Sequence, residues 1–215
     1  MSYSAIVVGN ANVTLVSFPT TPGLRSLDIS VKDATATVNS PYTGQTQAQL
    51  WPGGDMLLGT VTLPPMQRAD ADNWESALMQ CRGMAYAFQM GDPLRQTPRG
   101  NPSGNAQCVD SSANNVAMST YLDTTGWTPS TANLLLPGDY IQIGYRLHRA
   151  LDPVSSDSGG NATISIWPSL REAPANANVI TSGTQGLWRL ASNQRDWSSD
   201  YTGFTHMSFK IQEYR

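Results

Sequence analysis

Histidine, cysteine and lysine are nearly missing from this chain, which has 215 residues and two of each. Each scarcity narrows what the protein can be. With only His148, His206, Cys81 and Cys108, and neither a Cys-x-x-Cys nor a Cys/His cluster, a zinc site would lack ligands unless carboxylates filled in. A chain of this length can bury a core without disulfides, so both thiols are expected to be reduced and buried or semi-buried. The two lysines are Lys32 and Lys210, the pI is near 5.2, and no basic stripe offers itself to a phosphate backbone. Nucleic acid is therefore not an expected partner. No stretch approaches the roughly 20 apolar residues that cross a bilayer. No basic region precedes the first apolar run, so neither a membrane span nor a secretion signal is expected, and synthesis in a cytoplasm is.

Charge of either sign is sparse too, at 13% of residues against about 25% in a typical soluble domain. The composition is nevertheless that of a folded chain, because net charge is only -3 and six Trp and eight Tyr accompany clear alternating patterns. Arg supplies eleven of the thirteen basic residues. Guanidinium is favoured over ammonium where side chains are desolvated between partners. A surface poor in Lys and rich in Arg, Trp and Tyr points to protein contacts; an Arg-biased lineage would leave the same signature.

Along the chain, Ala5-Ile-Val-Val is a short apolar run, Val13 to Phe18 alternates weakly, and Leu27, Ile29 and Val31 share one face of a strand. After the break Ser40-Pro-Tyr-Thr-Gly, the polar alternation of Gln45 to Trp51, the turn Pro52-Gly-Gly-Asp and the run Met56 to Leu63 predict a hairpin. One helix is expected at about 70–82, capped by Asp70 or Asp72 and stopped by Gly83, with Trp74, Ala77, Leu78 and Cys81 forming a stripe that packs on a sheet. Met84 to Met90 follows as a strand. Residues 94–105, rich in Pro and Gly, form the best linker in the chain. Beyond them, Gln107 to Asp110, Asn115 to Leu122, the alternating run Tyr140 to Tyr145, Ala162 to Trp167 after a turn at Asp157-Ser-Gly-Gly, Leu187 to Leu190 and a C-terminal strand with Met207, Phe209 and Ile211 on one face are expected strands. Short strands at this spacing favour a sandwich or small barrel over βαβ units.

Catalytic signatures do not emerge. Gly-x-Ser-x-Gly, Walker A, His-Glu-x-x-His and a Rossmann fingerprint are all missing. His148, beside Arg146 and Arg149, reads better as a strand or interface histidine than as a base, and His206 invites the same reading. Asp152, Asp157 and Asn161 surround a hairpin tip, but they lack the spacing of a calcium loop and suit ordinary turn chemistry. Asp70, Asp72 and Glu75 could be imagined as a glycosidase pair, yet the first turns of a helix explain them. No catalytic, metal-binding or cofactor-binding residue is assigned. Trp51, Trp127, Trp167, Trp188 and Trp197, near turns or strand ends, fit either sugar stacking or anchoring of subunit interfaces.

Ser40-Pro-Tyr-Thr-Gly-Gln with Trp51, Leu63-Pro-Pro-Met, the Asp-rich helix with Trp74, Gly91-Asp-Pro, and Pro137-Gly-Asp-Tyr-Ile-Gln-Ile-Gly come in an order that resembles the distal tail protein family of long-tailed bacteriophages. The resemblance spans roughly residues 35 to 190. It implies a mainly β chain that forms a hexameric ring around the tail channel, contacting the tail tube and the tail-tip or hub proteins within the virion. It also implies a β-sandwich with one packed α-helix over residues 1–93, similar to tail-tube folds, a loop or linker at 94–105, and a second β-barrel-like or galectin-like region over 106–215. That last region could instead complete the first sandwich. Tyr42, Trp51, Arg95 and Arg99, by residue type and loop placement, are the expected intersubunit contacts. The alternatives are a carbohydrate- or receptor-binding module of a virion and, further off, a glycan hydrolase.

Overall fold

The computed structural model describes residues 3–9 and 11–215, so Met1, Ser2 and Asn10 of the expected first region lie outside the described residues. The chain is mainly β, with one α-helix among the described residues. The first strands are β1 (Tyr3–Val8), β2 (Ala11–Val16), β3 (Ser26–Lys32), β4 (Thr35–Asn39), β5 (Thr46–Leu50), β6 (Met56–Thr62) and β7 (Met66–Gln67). Helix α1 (Arg68–Gln80) and β8 (Ala87–Met90) follow. Next come β9 (Gly104–Cys108), β10 (Tyr121–Trp127), β11 (Tyr140–Ile143), β12 (Arg146–Ala150), β13 (Ala162–Trp167) and β14 (Val179–Ile180). The chain ends with β15 (Gly186–Leu190), β16 (Trp197–Ser199) and β17 (Phe204–Glu213).

Two sheets and one projecting ribbon result. The first sheet runs β1-β2-β8-β15-β17-β6-β3, with β16 and β7 also paired to β17. Its pairings are antiparallel except the single parallel contact of β2 with β8 at Leu15 and Ala87. Strict alternation makes β17 its spine: Thr205, Met207, Phe209 and Ile211 point inward while His206, Ser208 and Lys210 face out. Helix α1 lays Ala71, Trp74, Ala77 and Leu78 on that core, and the turn after it buries Cys81. Phe18 stacks on Phe88 with ring centroids 4.3 Å apart and meets Trp74 and Phe209 edge-on, an arrangement that suits the aromatic quadrupoles. The helix begins two residues before the expected cap. Gln67 precedes it without a side-chain cap, Asp70 sits in the first turn, and Asp72 pairs with Arg68 on the exposed face.

The second sheet runs β14-β11-β12-β13-β10-β9 and almost closes on itself. Its ends meet where Gln107 bridges Asn178 and the Cys108 N–H donates to the Ala177 carbonyl at 2.9 Å. Leu122, Leu134, Leu135, Ile141, Ile164 and Ile166 fill it. Burying each such side chain contributes roughly 1.5–3 kcal/mol.

Three expectations are corrected. Residues 106–215 do not form one region: 104–180 build the second sheet, while β15 and β17 return to the middle of the first. The strand expected over Asn115 to Leu122 begins only at Tyr121, because the Asn115 side chain folds inward, donating to the carbonyls of Val109 and Asp123 and accepting from the Asp123 N–H. The alternating run Tyr140 to Tyr145 breaks at Gly144, whose φ of +56° opens a two-residue turn that pairs Ile143 with Arg146.

Candidate interaction site: the arm and its anchor

A fourth correction defines the site. Gln45 to Trp51 does not pair with Met56 to Leu63. β5 pairs with β4 across the tip Ser40–Gln45, and β6 pairs with β3, so residues 26–62 make one long ribbon. Pro52-Gly-Gly-Asp is a bulge in its return strand. Between the pairs Lys32–Met56 and Thr35–Leu50 the outgoing side has two residues (33–34) and the returning side five (51–55). Gly54 makes the bulge sterically possible, since a Cβ there would lie 2.2 Å from that of Ala34.

Beyond the bulge the ribbon leaves the body as an arm. Every residue of β4 and β5 is exposed, and each strand pairs only with the other among the described residues. An isolated two-stranded hairpin is marginal in water. From Ala34 to Gly54 there is no charged residue, although Asp33 and Asp55 stand at either end. Val38 (68% exposed), Leu50 and Trp51 lie along the arm, and Tyr42 stands 94% exposed at its tip.

The arm's root is held tightly. Arg171, which lies after β13, tucks beneath it with its side chain 9% exposed; Nη1 donates to the Gly53 carbonyl at 2.9 Å, and Nη2 donates to the Asp55 carbonyl and, at 3.1 Å, to Glu213. The Glu213 carboxylate also accepts from the Leu57 N–H at 3.2 Å. Ser169 donates through its N–H (2.8 Å) and Oγ (3.0 Å) to the Asp55 carboxylate, and that same Oγ accepts from the Gly53 N–H at 2.8 Å. Arg215 reaches the Gly53 carbonyl, and Trp167 Nε1 donates to Asp33 at 3.0 Å. Burial alone would raise the Asp55 pKa, but the Ser169 hydrogen bonds and the Arg171 charge outweigh it and hold the carboxyl below its ordinary value. The second sheet and the C-terminal strand thus fix the direction in which the arm leaves the first sheet.

Tyr42 and Trp51 therefore belong to one feature, at its tip and root. Arg95 and Arg99 lie elsewhere. They line a recess of about 410 Å³ with Arg149, where Arg95 pairs with Asp92 and Arg99 with Asp139. The loop is stitched down by the buried Asp139 carboxylate, which accepts from the backbone N–H groups of Arg99, Gly100 and Leu136. Of the tryptophans, Trp127 and Trp188 are buried, whereas Trp51 and Trp197 are exposed.

The ionisable groups inside the body are engaged in structure. His148 is buried, its Nδ1 donates to the Pro168 carbonyl at 2.7 Å, and burial pushes its pKa down to about 4. Burial pushes the Cys81 thiol up to about 12 and that of Cys108 to about 11, which leaves both protonated and weakly nucleophilic. Among the described residues, no group of three or more His, Cys, Asp or Glu side chains is placed to hold a metal ion. The network joining Arg171, Asp55 and Glu213 was not anticipated from sequence; the charge-free window from 34 to 54 was the signal that could have revealed the arm. In comparisons with protein-family models and with curated proteins, nothing matches the chain.

Proposed function

We propose that this chain is a structural component of a long-tailed bacteriophage tail, the ring that connects the tail tube to the baseplate or tip. The observation that carries the reading is the arm. A rigidly rooted, charge-free ribbon with no core of its own is an interaction element awaiting a partner, since open strand edges are otherwise a liability that proteins blunt. The resemblance of the motif order to distal tail proteins suggests the biological setting and the hexameric expectation. The buried ionisable groups support a structural role, because Asp55, Arg171 and Glu213 spend their hydrogen bonds holding the arm.

Light scattering coupled to size-exclusion chromatography, followed by negative-stain microscopy of the purified chain, tests this reading. Rings of several subunits are expected. A chain that stays monomeric at high concentration and binds glycans through Trp51 would overturn it in favour of a carbohydrate-binding module.

A further inference from the structure

Ring formation requires each molecule to carry two complementary surfaces, and the sheet edges narrow down which they are. Among the described residues the second sheet has little to offer, because it nearly closes where Gln107 bridges Asn178 beside β14. In the first sheet β3 is the last strand, but Asp28 and Lys32 guard it with charge. β7 and β16 are only two and three residues long. Short or charged edges resist pairing with other chains.

Two features carry no such protection among the described residues. One is the arm. The other is β1, six residues of sequence Tyr-Ser-Ala-Ile-Val-Val paired only to β2 among the described residues. Ile6 and Val8 turn inward, whereas Tyr3 and Val7, which is 63% exposed, face solvent. The arm strands have five residues each, a length that β1 can match along its whole edge. The two features also occupy opposite ends of one sheet: β1 begins the strand order and the ribbon of β3 and β6, from which the arm grows, ends it.

We infer that the arm of one copy adds to the β1 edge of the next copy, joining molecules head to tail by strand addition. The inference rests on the ring reading above and names its contact. Backbone groups left unpaired on both edges gain partners, and Val38 or Leu50 of the arm covers Val7 of its neighbour. Donor and acceptor surfaces differ, so the contact is heterologous and propagates until the rotation closes it. The buried anchor at Gly53 and Asp55 sets that rotation by fixing the arm's direction.

Two variants test it, each made at exposed positions where lysine leaves the fold intact: Val38→Lys with Ala48→Lys in the arm, and Ala5→Lys with Val7→Lys in β1. Circular dichroism and thermal unfolding like those of the parent verify folding. Each variant alone is expected to be monomeric where the parent assembles. Mixed in equal amounts and cross-linked, they should give a two-chain species and nothing larger, because one sound arm meets one sound β1 edge and growth stops. Assembly of either variant alone, or a mixture without the two-chain species, overturns the contact while leaving the ring reading in place. A parent that never assembles overturns both.

Discussion

The arm and the second sheet are built from similar residues, few of them charged, and end in opposite physical states. Residues 104–180 enclose a core of Leu and Ile and join their edge strands, so every strand has neighbours and an interior. Residues 34–54 enclose nothing, and both arm strands keep one open side. Composition separates them only in part, since the arm from 34 to 54 has no charged residue and the second sheet has several. What separates them is whether alternate side chains converge on one interior, as Leu122 and Thr124 do on β10, or face solvent on both sides of a ribbon. The arm has its own ladder but no buried face, so its root is what ties it to the body.

The most damaging single change should therefore be at the root. In Arg171→Ala the Asp55 and Glu213 carboxylates lose their common cation in a buried setting, an injury that costs about 3–5 kcal/mol in comparable pairs. Denaturant unfolding should show that loss. Hydrogen exchange should show amides of 51–57 exchanging faster while those of the second sheet, compared at equal stability, keep their order of protection. If the arm's root kept its protection, the anchor would not be what orders it. Within the second sheet, Leu134→Ala should cost about 2–5 kcal/mol by chemical denaturation, through lost burial and the cavity left behind. A cost below about 1 kcal/mol would mean that this interior is looser than its closed strands suggest.

What could be read from sequence follows the same division. The helix was legible because Trp74, Ala77, Leu78 and Cys81 repeat at helical spacing, and β17 because Met207, Phe209 and Ile211 alternate. Both patterns are local, and both report one buried face. The arm is hidden in the sequence because Pro52-Gly-Gly-Asp carries turn residues. Such residues also suit a bulge, and only the distant approach of Gly54 to Ala34 distinguishes the two. The return of β15 and β17 to the first sheet, like the convergence of Arg171, Asp55 and Glu213, joins residues more than forty positions apart, beyond the reach of any periodicity. Tyr42 and Trp51, aromatics placed beside turns, both fall on the arm and are exposed. Arg95 and Arg99 were drawn from the same logic and sit on a loop already tied to Asp92 and Asp139.

The body, unlike the arm, should respond to acid. His148 is held neutral by burial, with Glu213, Arg171 and Arg146 as the charges facing it and the Pro168 carbonyl accepting its proton. Its folded pKa of about 4 lies below the ordinary 6.5, so the unfolded chain takes up a proton first as pH falls. Stability is then full above about 6.5 and declines toward pH 4, with a slope approaching about 1.4 kcal/mol per pH unit. Asp55, whose carboxyl is held below 3.8, withdraws its contribution only at still lower pH, which keeps the two windows apart. Replacing the histidine, His148→Gln, should flatten the slope between 6.5 and 4; an unchanged slope would assign the acid sensitivity to other groups.

The smallest expected effect sharpens the contrast most, because it repeats the chemistry of Leu134→Ala on the arm. Leu50 is 58% exposed, opposite Thr35, with no interior beneath it. Removing its side chain buries no cavity and strands no polar group, so Leu50→Ala should change the stability of the isolated chain by no more than about 0.5 kcal/mol. If the arm adds to the neighbour's β1 with Leu50 over Val7, the concentration needed for half-assembly should rise severalfold, read by mass photometry across a dilution series. A residue silent in the monomer and felt in the assembly is what an element shaped for its partner must contain, whereas a loss of folding stability at Leu50 would show the arm to be held by packing of its own.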